Sequence, residues 1–269
     1  MSCCFYKGDV FQNLKRIPDK SIHLLYINPP FGTTQNYWDE KLDWPKLFQE
    51  YFRVLRPEGM LVIHCSIPFN YELIRAAPKP PSYSWYWKKE SYTAPLLSRV
   101  QPRRQVEEIL VWKNKTNTYY PQPVGTEVRP TTYMTKNDYY GPTTKTASGT
   151  RIGKTRSHLL EMRRNIDGYA TRPDEMVELI ISSYTKPGDT ILDTFCYKGL
   201  TGVIAKRMNR KWIGIDKYFF PDKIIQPPVE CPTPSSPTQE VTTKSSTETP
   251  EKSKPSTQQK PKQKPKSDS

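Results

Sequence analysis

Histidine is scarce in this chain, with 3 among 269 residues. His23 and His64 sit inside apolar runs and read as core or sheet-end residues, and His158 stands apart from both. The 5 cysteines are odd in number and form no C-x-x-C pair. They fit neither a zinc site nor a disulfide framework, so no metal centre is expected. No apolar run approaches the ~20 residues of a membrane span, and the N-terminus lacks the apolar stretch of a signal peptide. A soluble protein, cytoplasmic or otherwise intracellular, is expected. From Pro227 onward there is no aromatic residue, and Val229, Cys231 and Val241 are the only aliphatic or thiol side chains. Such a segment buries too little apolar area to offset its ordering entropy. Residues 227–269 therefore read as a disordered basic Pro/Ser/Thr/Lys tail, which leaves 1–226 as the folded domain.

Acid is the other shortage: 27 Asp and Glu stand against 41 Lys and Arg, a net charge of +14. The excess is concentrated. Residues 70–165 hold 17 bases and 7 acids. A localised basic surface implies a polyanionic partner, most simply nucleic acid. The bland alternative is a solvated Lys/Arg face, which the concentration in one segment disfavours.

Ile22-His23-Leu24-Leu25-Tyr26-Ile27 reads as a buried strand. Asp43-Trp44-Pro45 opens a helix with an N-cap acid and a first-turn proline. Leu47, Phe48, Tyr51, Phe52, Val54 and Leu55 give it an apolar stripe, Pro57 and Gly59 end it, and Met60 to Cys65 form a second strand. Residues 70–165 differ, being rich in Tyr, Trp, Pro and Arg, with Trp85-Tyr86-Trp87 and Ile109-Leu110-Val111-Trp112 as short strands among loops. Regular pattern returns with a helix opened by Arg172-Pro173-Asp174-Glu175. A strand Thr190-Ile191-Leu192-Asp193, a short helix from Gly199 to Met208, and a strand Trp212 to Asp216 follow. Strand, helix, strand is the βαβ signature. The expected fold is α/β: a Rossmann-like, mostly parallel sheet with helices on both faces. The basic, aromatic segment 70–165 reads as an insert flanked by the two βα blocks.

In such sheets ligands sit at the carboxyl ends of strands, where Asn28, Asp193 and Asp216 are expected. Asn28-Pro29-Pro30-Phe31 is the most informative stretch. The prolines end strand pairing and lack N–H groups, leaving nearby carbonyls free to face a ligand. Asn28 adds an acceptor and a donor, and Phe31 adds a flat apolar face. Together they suit a planar group bearing an amine, such as adenine or cytosine; the bland reading is a common strand exit. Asp193 to Gly202 follows a strand and opens a helix, and Asp216 stands where a ribose-hydroxyl acceptor stands in dinucleotide folds. A tight turn plus a solvated strand-end acid explains these residues equally well.

Taken together, the motifs resemble those of S-adenosylmethionine-dependent DNA amino-methyltransferases of the β order, in which the catalytic motif precedes the cofactor motif. The matching stretches are Gly8-Asp9-Val10-Phe11, Asn28-Pro29-Pro30-Phe31, Arg172-Pro173, Gly188 to Phe195, and Arg210 to Asp216. The resemblance covers most of residues 5–218. It implies S-adenosylmethionine as cofactor and assigns the Asn28, Pro29, Pro30, Phe31 stretch to catalysis. Asp9, Arg172, Asp193, Phe195, Gly199, Thr201 and Asp216 are assigned to the cofactor, with Asp9 and Phe195 flanking its adenine. The 70–165 insert would then be the DNA-facing part for target recognition, where Lys88, Lys89, Arg99, Arg103 and Arg104 would neutralise the phosphates of double-stranded DNA. The chain departs from the family at Tyr197, Lys198 and Leu200, where the pattern has Gly, Ser and Thr. Tyr197 either clashes with the cofactor or sits aside, and Lys198 is placed to attract its carboxylate. Asn-Pro-Pro-Phe resembles the adenine-N6 enzymes more than the Ser-Pro-Pro-Tyr of cytosine-N4 enzymes.

Three other readings compete. One is a cytosine-N4 enzyme. Another is a non-catalytic nucleic-acid-binding protein on a decayed methyltransferase scaffold, which the Tyr197-Lys198 departure favours and the intact Asn28 motif opposes. The third is a nucleotide hydrolase, from the near P-loop Gly149 to Thr155, which has one residue too few between its glycines and no preceding strand. Oligomeric state is left open, with a homodimer one option.

Overall fold

In the computed structural model the described residues are 3–93, 98–116, 118–132, 136–137, 141–142, 148–154, 156–162, 172–218 and 229–230. The first half alternates strand and helix: β1 (Cys3–Lys7), α1 (Val10–Leu14), β2 (Ile22–Ile27), α2 (Trp44–Val54), β3 (Leu55–Cys65) and α3 (Phe69–Ala76). A β-rich stretch follows with β4 (Tyr83–Thr93), β5 (Arg104–Lys113), β6 (Val124–Thr132), β7 (Lys136–Asn137), β8 (Gly141–Pro142), β9 (Ser148–Lys154) and β10 (Leu159–Glu161). The chain then returns to α4 (Asp174–Tyr184), β11 (Thr190–Asp193), α5 (Leu200–Arg207), β12 (Lys211–Asp216) and β13 (Val229–Glu230).

One sheet of nine strands runs in the order β10-β4-β5-β3-β2-β11-β12-β1-β13. Only β5 is reversed; it pairs antiparallel with both β3 and β4, and the other pairings are parallel. The two βα blocks meet where β2 pairs with β11, Leu24 beside Ile191 and Leu25 beside Leu192. Successive side chains point to opposite faces, and the core divides accordingly. Leu24, Tyr26, Met60 and Val62 pack with α4 and α5, through Met176, Ile180, Tyr184 and Ile204. Leu25, Ile27, Leu61 and Ile63 pack with α1, α2 and α3, through Leu14, Leu47, Phe48, Tyr51 and Leu73. This is the expected α/β sheet with helices on both faces. Asp43 caps α2 as read from the sequence, its carboxylate accepting from the Lys46 amide at 3.1 Å.

Within residues 70–165, β4, β5 and β10 extend the main sheet, and Trp85, Trp87 and Trp112 are buried in its core. Only β6 with β9, and β7 with β8, form small two-stranded ribbons of their own. The Gly149–Thr155 stretch falls largely in β9, paired to β6, so it is a strand rather than a phosphate loop before a helix. At the other end, Val229 and Glu230 lie along β1, so pairing continues past the boundary drawn at 227. The rest of 227–269 lies outside the described residues. Cys65 and Cys196 are free and buried. Cys4 is disulfide-bonded, which the scattered cysteines did not foreshadow. Among the described residues, no helix is long and apolar enough to cross a membrane.

The α5–β12 contact shows how tightly the second block is packed. A Cβ on Gly202 would lie 2.8 Å from the Trp212 ring, which is itself buried. Gly202→Ala must displace the indole, and such overpacking costs about 1–3 kcal/mol. The expected outcome is a lowered urea midpoint with an unchanged denaturant slope, measured by equilibrium unfolding.

Candidate active site

The parallel strands carry their carboxyl ends to one edge of the sheet, and a cavity of about 560 Å³ opens there. Its volume lies in the usual range for small-molecule sites. Asn28, Pro29, Pro30 and Phe31 line it from the end of β2. Asp9 reaches it from the start of α1, Phe195 from the turn after β11, Asp216 from the end of β12, and Arg172 from just before α4. Five separate stretches of the sequence thus share one space.

Asp216 is buried, and its two carboxylate oxygens accept from the Tyr197 and Tyr218 amides at 2.6 Å each. Burial raises its pKa above the ordinary carboxylate value, although the amides pull the other way. Asp9 caps α1, accepting from the Gln12 amide at 2.9 Å, so its turn role and its place on the wall coexist. Phe31 has one face covered by Phe69, with ring centroids 4.9 Å apart and nearly parallel. Asp193, Gly199 and Thr201 do not line the cavity. They lie behind it: the Asp193 carboxylate accepts from the Phe195 amide at 3.1 Å and bonds Thr201. Gly199 takes a left-handed φ of 77° as the N-cap of α5. These three shape the loop that carries Phe195 and Tyr197.

Tyr197, where the family pattern has Gly, also adopts a left-handed φ of 44°. Such a conformation is strained for a bulky residue, and this explains why glycine suits the position. The side chain stands at the cavity wall yet is 46% exposed, so it sits aside rather than filling the space. Lys198 lies 6.0 Å from its ring.

Asn28 is held from behind. Arg172 donates from Nη2 to Asn28 Oδ1 at 2.5 Å. The same guanidinium pairs with Glu107 at 2.6 Å, and Glu107 is 3% exposed. Glu107 also meets His64 Nδ1 at 2.8 Å and Lys89 Nζ at 3.0 Å. Burial favours its neutral form, but Arg172, His64 and Lys89 outweigh this and hold the carboxyl well below the usual range. Burial pushes the His64 pKa down to about 4, so the ring is neutral near pH 7. Arg172 is therefore placed at Asn28, not only toward the cofactor as first expected. Lys89 belongs to this interior cluster, a correction to its expected phosphate contact. Lys88 pairs with Glu161 at 2.7 Å and Arg104 donates to the Ile67 carbonyl at 2.7 Å. Arg99 and Arg103 are exposed between β4 and β5, on the same sheet edge as the cavity.

Sequence reading missed the loop after Phe31. Asp39 is nearly buried, and its carboxylate accepts from the Gly32, Thr33 and Thr34 amides and the Thr34 hydroxyl at 2.6–2.9 Å. Glu40 then accepts from Lys217 Nζ and the Tyr218 hydroxyl at 2.7 and 2.6 Å. The loop so bridges the end of β2 to the end of β12 along the cavity wall. Nothing in its composition marked Asp39 as an interior residue. Glu107 and His64 did leave a trace, as polar residues interrupting apolar runs.

The wall's chemistry suits a cationic nucleoside. Asp9, Asp39, Glu40 and Asp216 outnumber Arg172 and Lys217, and Phe31, Tyr37 and Phe195 offer apolar faces. Among the described residues no group of three or more His, Cys, Asp and Glu is placed to hold a metal ion.

Comparison with known proteins shows a family and a shared fold. A family model described as DNA methylase, of the N6/N4 type, matches residues 22–220. The type II methyltransferase M.BamHI of Bacillus amyloliquefaciens is 26% identical over 226 residues, covering 78% of this chain and 53% of its own length. The chain thus spans about half of that relative. The DNA adenine methyltransferase YhdJ of Escherichia coli (strain K12) is 24% identical, covering 78% of this chain and 76% of its own. Two solved structures share the fold. The PvuII cytosine-N4-specific DNA methyltransferase has a TM-score of 0.57 at 17% identity, covering 84% of this chain and 89% of its own. The M1.HpyAVI-SAM complex has a TM-score of 0.54 at 22% identity, covering 80% and 93%.

Asp193, behind the cavity, is a buried carboxyl whose protonation couples to stability. Burial raises its pKa to about 7, opposed by its bonds to Thr201 and Phe195. The folded state binds this proton more tightly than the unfolded chain, so the associated stability is present at low pH and is lost as pH rises from about 4 to 7. The shift corresponds to roughly 4 kcal/mol. Urea unfolding at pH 4.5 and 7.5 is expected to show a smaller loss across this window for Asp193→Asn than for the wild type.

Proposed function

The chain belongs to the N6/N4 DNA methylase family, and from that footing we propose that it is a site-specific DNA methyltransferase. It transfers a methyl group from S-adenosylmethionine to the exocyclic N6 amine of an adenine flipped out of double-stranded DNA. The observation that carries this reading is the meeting of Asn28-Pro29-Pro30-Phe31 with Asp9, Phe195 and Asp216 around one cavity. Asp216 would accept from the ribose hydroxyls of S-adenosylmethionine, and Asp9 and Phe195 would hold its adenine. Bound S-adenosylmethionine supplies an electrophilic methyl group on sulfur.

The chain's own residues answer a specific chemical difficulty. An exocyclic amine is a poor nucleophile because its lone pair is delocalised into the ring. Asn28 Oδ1 and the Pro29 carbonyl accept the two amine hydrogens. This favours a pyramidal nitrogen whose lone pair faces the methyl group, so positioning and fixed dipoles do most of the work. Phe31 stacks on the base with the face that Phe69 leaves open. Extruding the base costs a few kcal/mol, which contacts from Arg99 and Arg103 to phosphates help to offset.

Adenine is preferred over cytosine on the Asn-Pro-Pro-Phe motif. A cytosine-N4 reaction is the second reading, favoured by the likeness to the cytosine-N4-specific PvuII fold. Incubation with DNA and labelled S-adenosylmethionine, followed by nucleoside analysis, tests both. Label in N6-methyl-2′-deoxyadenosine is expected; label only in N4-methyl-2′-deoxycytidine selects the second reading, and no transfer to any DNA overturns both. Asn28→Ala is expected to slow transfer by at least about 100-fold, with cofactor affinity by calorimetry within about twofold of wild type.

A further inference from the structure

The interior cluster around Glu107 is not used by the reaction as written above, yet it ends on Asn28. A carboxylate only accepts hydrogen bonds. His64 Nδ1, 2.8 Å from Glu107 Oε1, therefore carries the imidazole proton. Its Nε2 then accepts from the Tyr26 hydroxyl at 2.8 Å. The Arg172 Nε, 3.3 Å from Nδ1, faces an N–H and makes no true hydrogen bond there. Arg172 is held instead through Nη2, whose two hydrogens serve two acceptors: Glu107 Oε1 at 2.6 Å and Asn28 Oδ1 at 2.5 Å. Lys89 occupies Glu107 Oε2 at 3.0 Å and completes the anchoring.

This geometry discriminates between the two orientations of the Asn28 carboxamide. With Oδ1 toward the guanidinium, donor meets acceptor, and a second lone pair on Oδ1 is left over. Turned by 180°, the amide would aim its NH₂ at Arg172, donor against donor, and would offer hydrogens where a base amine also offers hydrogens. A buried carboxylate with three partners is a costly way merely to fill space, since apolar residues of similar volume are often as stable. We propose that Glu107 is a positioning residue for methyl transfer: through Arg172 it selects the Asn28 carboxamide orientation in which Oδ1 accepts from the target amine. The proposal rests on the methyl-transfer reading above for its consequence, but its geometric half stands apart from activity.

Two measurements on the full chain test it. Protein labelled with ¹⁵N-asparagine gives side-chain amide resonances, of which the Asn28 pair is the one missing from Asn28→Ala. In Glu107→Gln this pair is expected to move toward the position of solvent-exposed carboxamides or to split into two sets. Single-turnover transfer at saturating DNA and cofactor is expected to fall about 10- to 100-fold in the same variant, with S-adenosylmethionine affinity within about twofold by calorimetry. Arg172→Lys, which keeps the charge and loses the fork, is expected to give the same pair of effects and serves if Glu107→Gln does not fold. A merely structural Glu107 would lower the unfolding midpoint and leave both the Asn28 resonances and the rate per cofactor-binding molecule unchanged; that result overturns the proposal. If the wild type transfers no methyl group, the functional reading fails, while the amide resonances still decide whether Glu107 orients Asn28.

Discussion

Two neighbouring parallel pairings, Leu24 with Ile191 and Leu25 with Leu192, join segments more than 160 residues apart. Everything functional in the molecule depends on them. They place the end of β2 beside the end of β11, and β12 follows next in the sheet. A parallel arrangement sends all of these ends to one edge, and helices on both faces keep the strands dry, as parallel sheets require. Had the two blocks formed separate sheets, Asn28 and Asp216 would have had no common cavity. The fold therefore acts chiefly as a device for converging short motifs.

Charge at that edge is managed in two ways. Asp193 and Asp216 are buried carboxyls served by backbone amides and Thr201, and their protonation is easy. Glu107 is buried as deeply but lies among cations, and it stays ionised. The contrast follows from the neighbours: amides and a hydroxyl stabilise an anion less than a guanidinium and an ammonium do. The cavity wall holds Asp9, Asp39, Glu40 and Asp216, while the side behind Asn28 carries Arg172 and Lys89 around Glu107.

Much of this was legible in the residue pattern. Runs such as Leu24-Leu25-Tyr26-Ile27 and Leu61-Val62-Ile63 are apolar on both faces, the mark of strands covered twice, and Asp43-Trp44-Pro45 announced its helix. The motif residues at strand ends were found because strand-end chemistry is local. What stayed hidden was long-range. β4 and β5 read as short strands among loops, and only their pairing with β3 shows that they continue the main sheet with their indoles buried. Lys89 was taken for a surface base, since nothing local says that Glu107 stands beside it on the next strand. Asp39 was invisible for a similar reason: its four partners are loop amides and a hydroxyl, groups that every sequence carries.

The strand order also has a consequence for biosynthesis. Cys3–Lys7 forms β1, whose neighbours are β12 and β13. These residues are made some two hundred codons before their partners in β12. The segments of the central sheet around β2 and β3 are therefore translated well before β1 has an edge to pair with. The wall between Asp9 and Asp216 can close only once β12 has emerged.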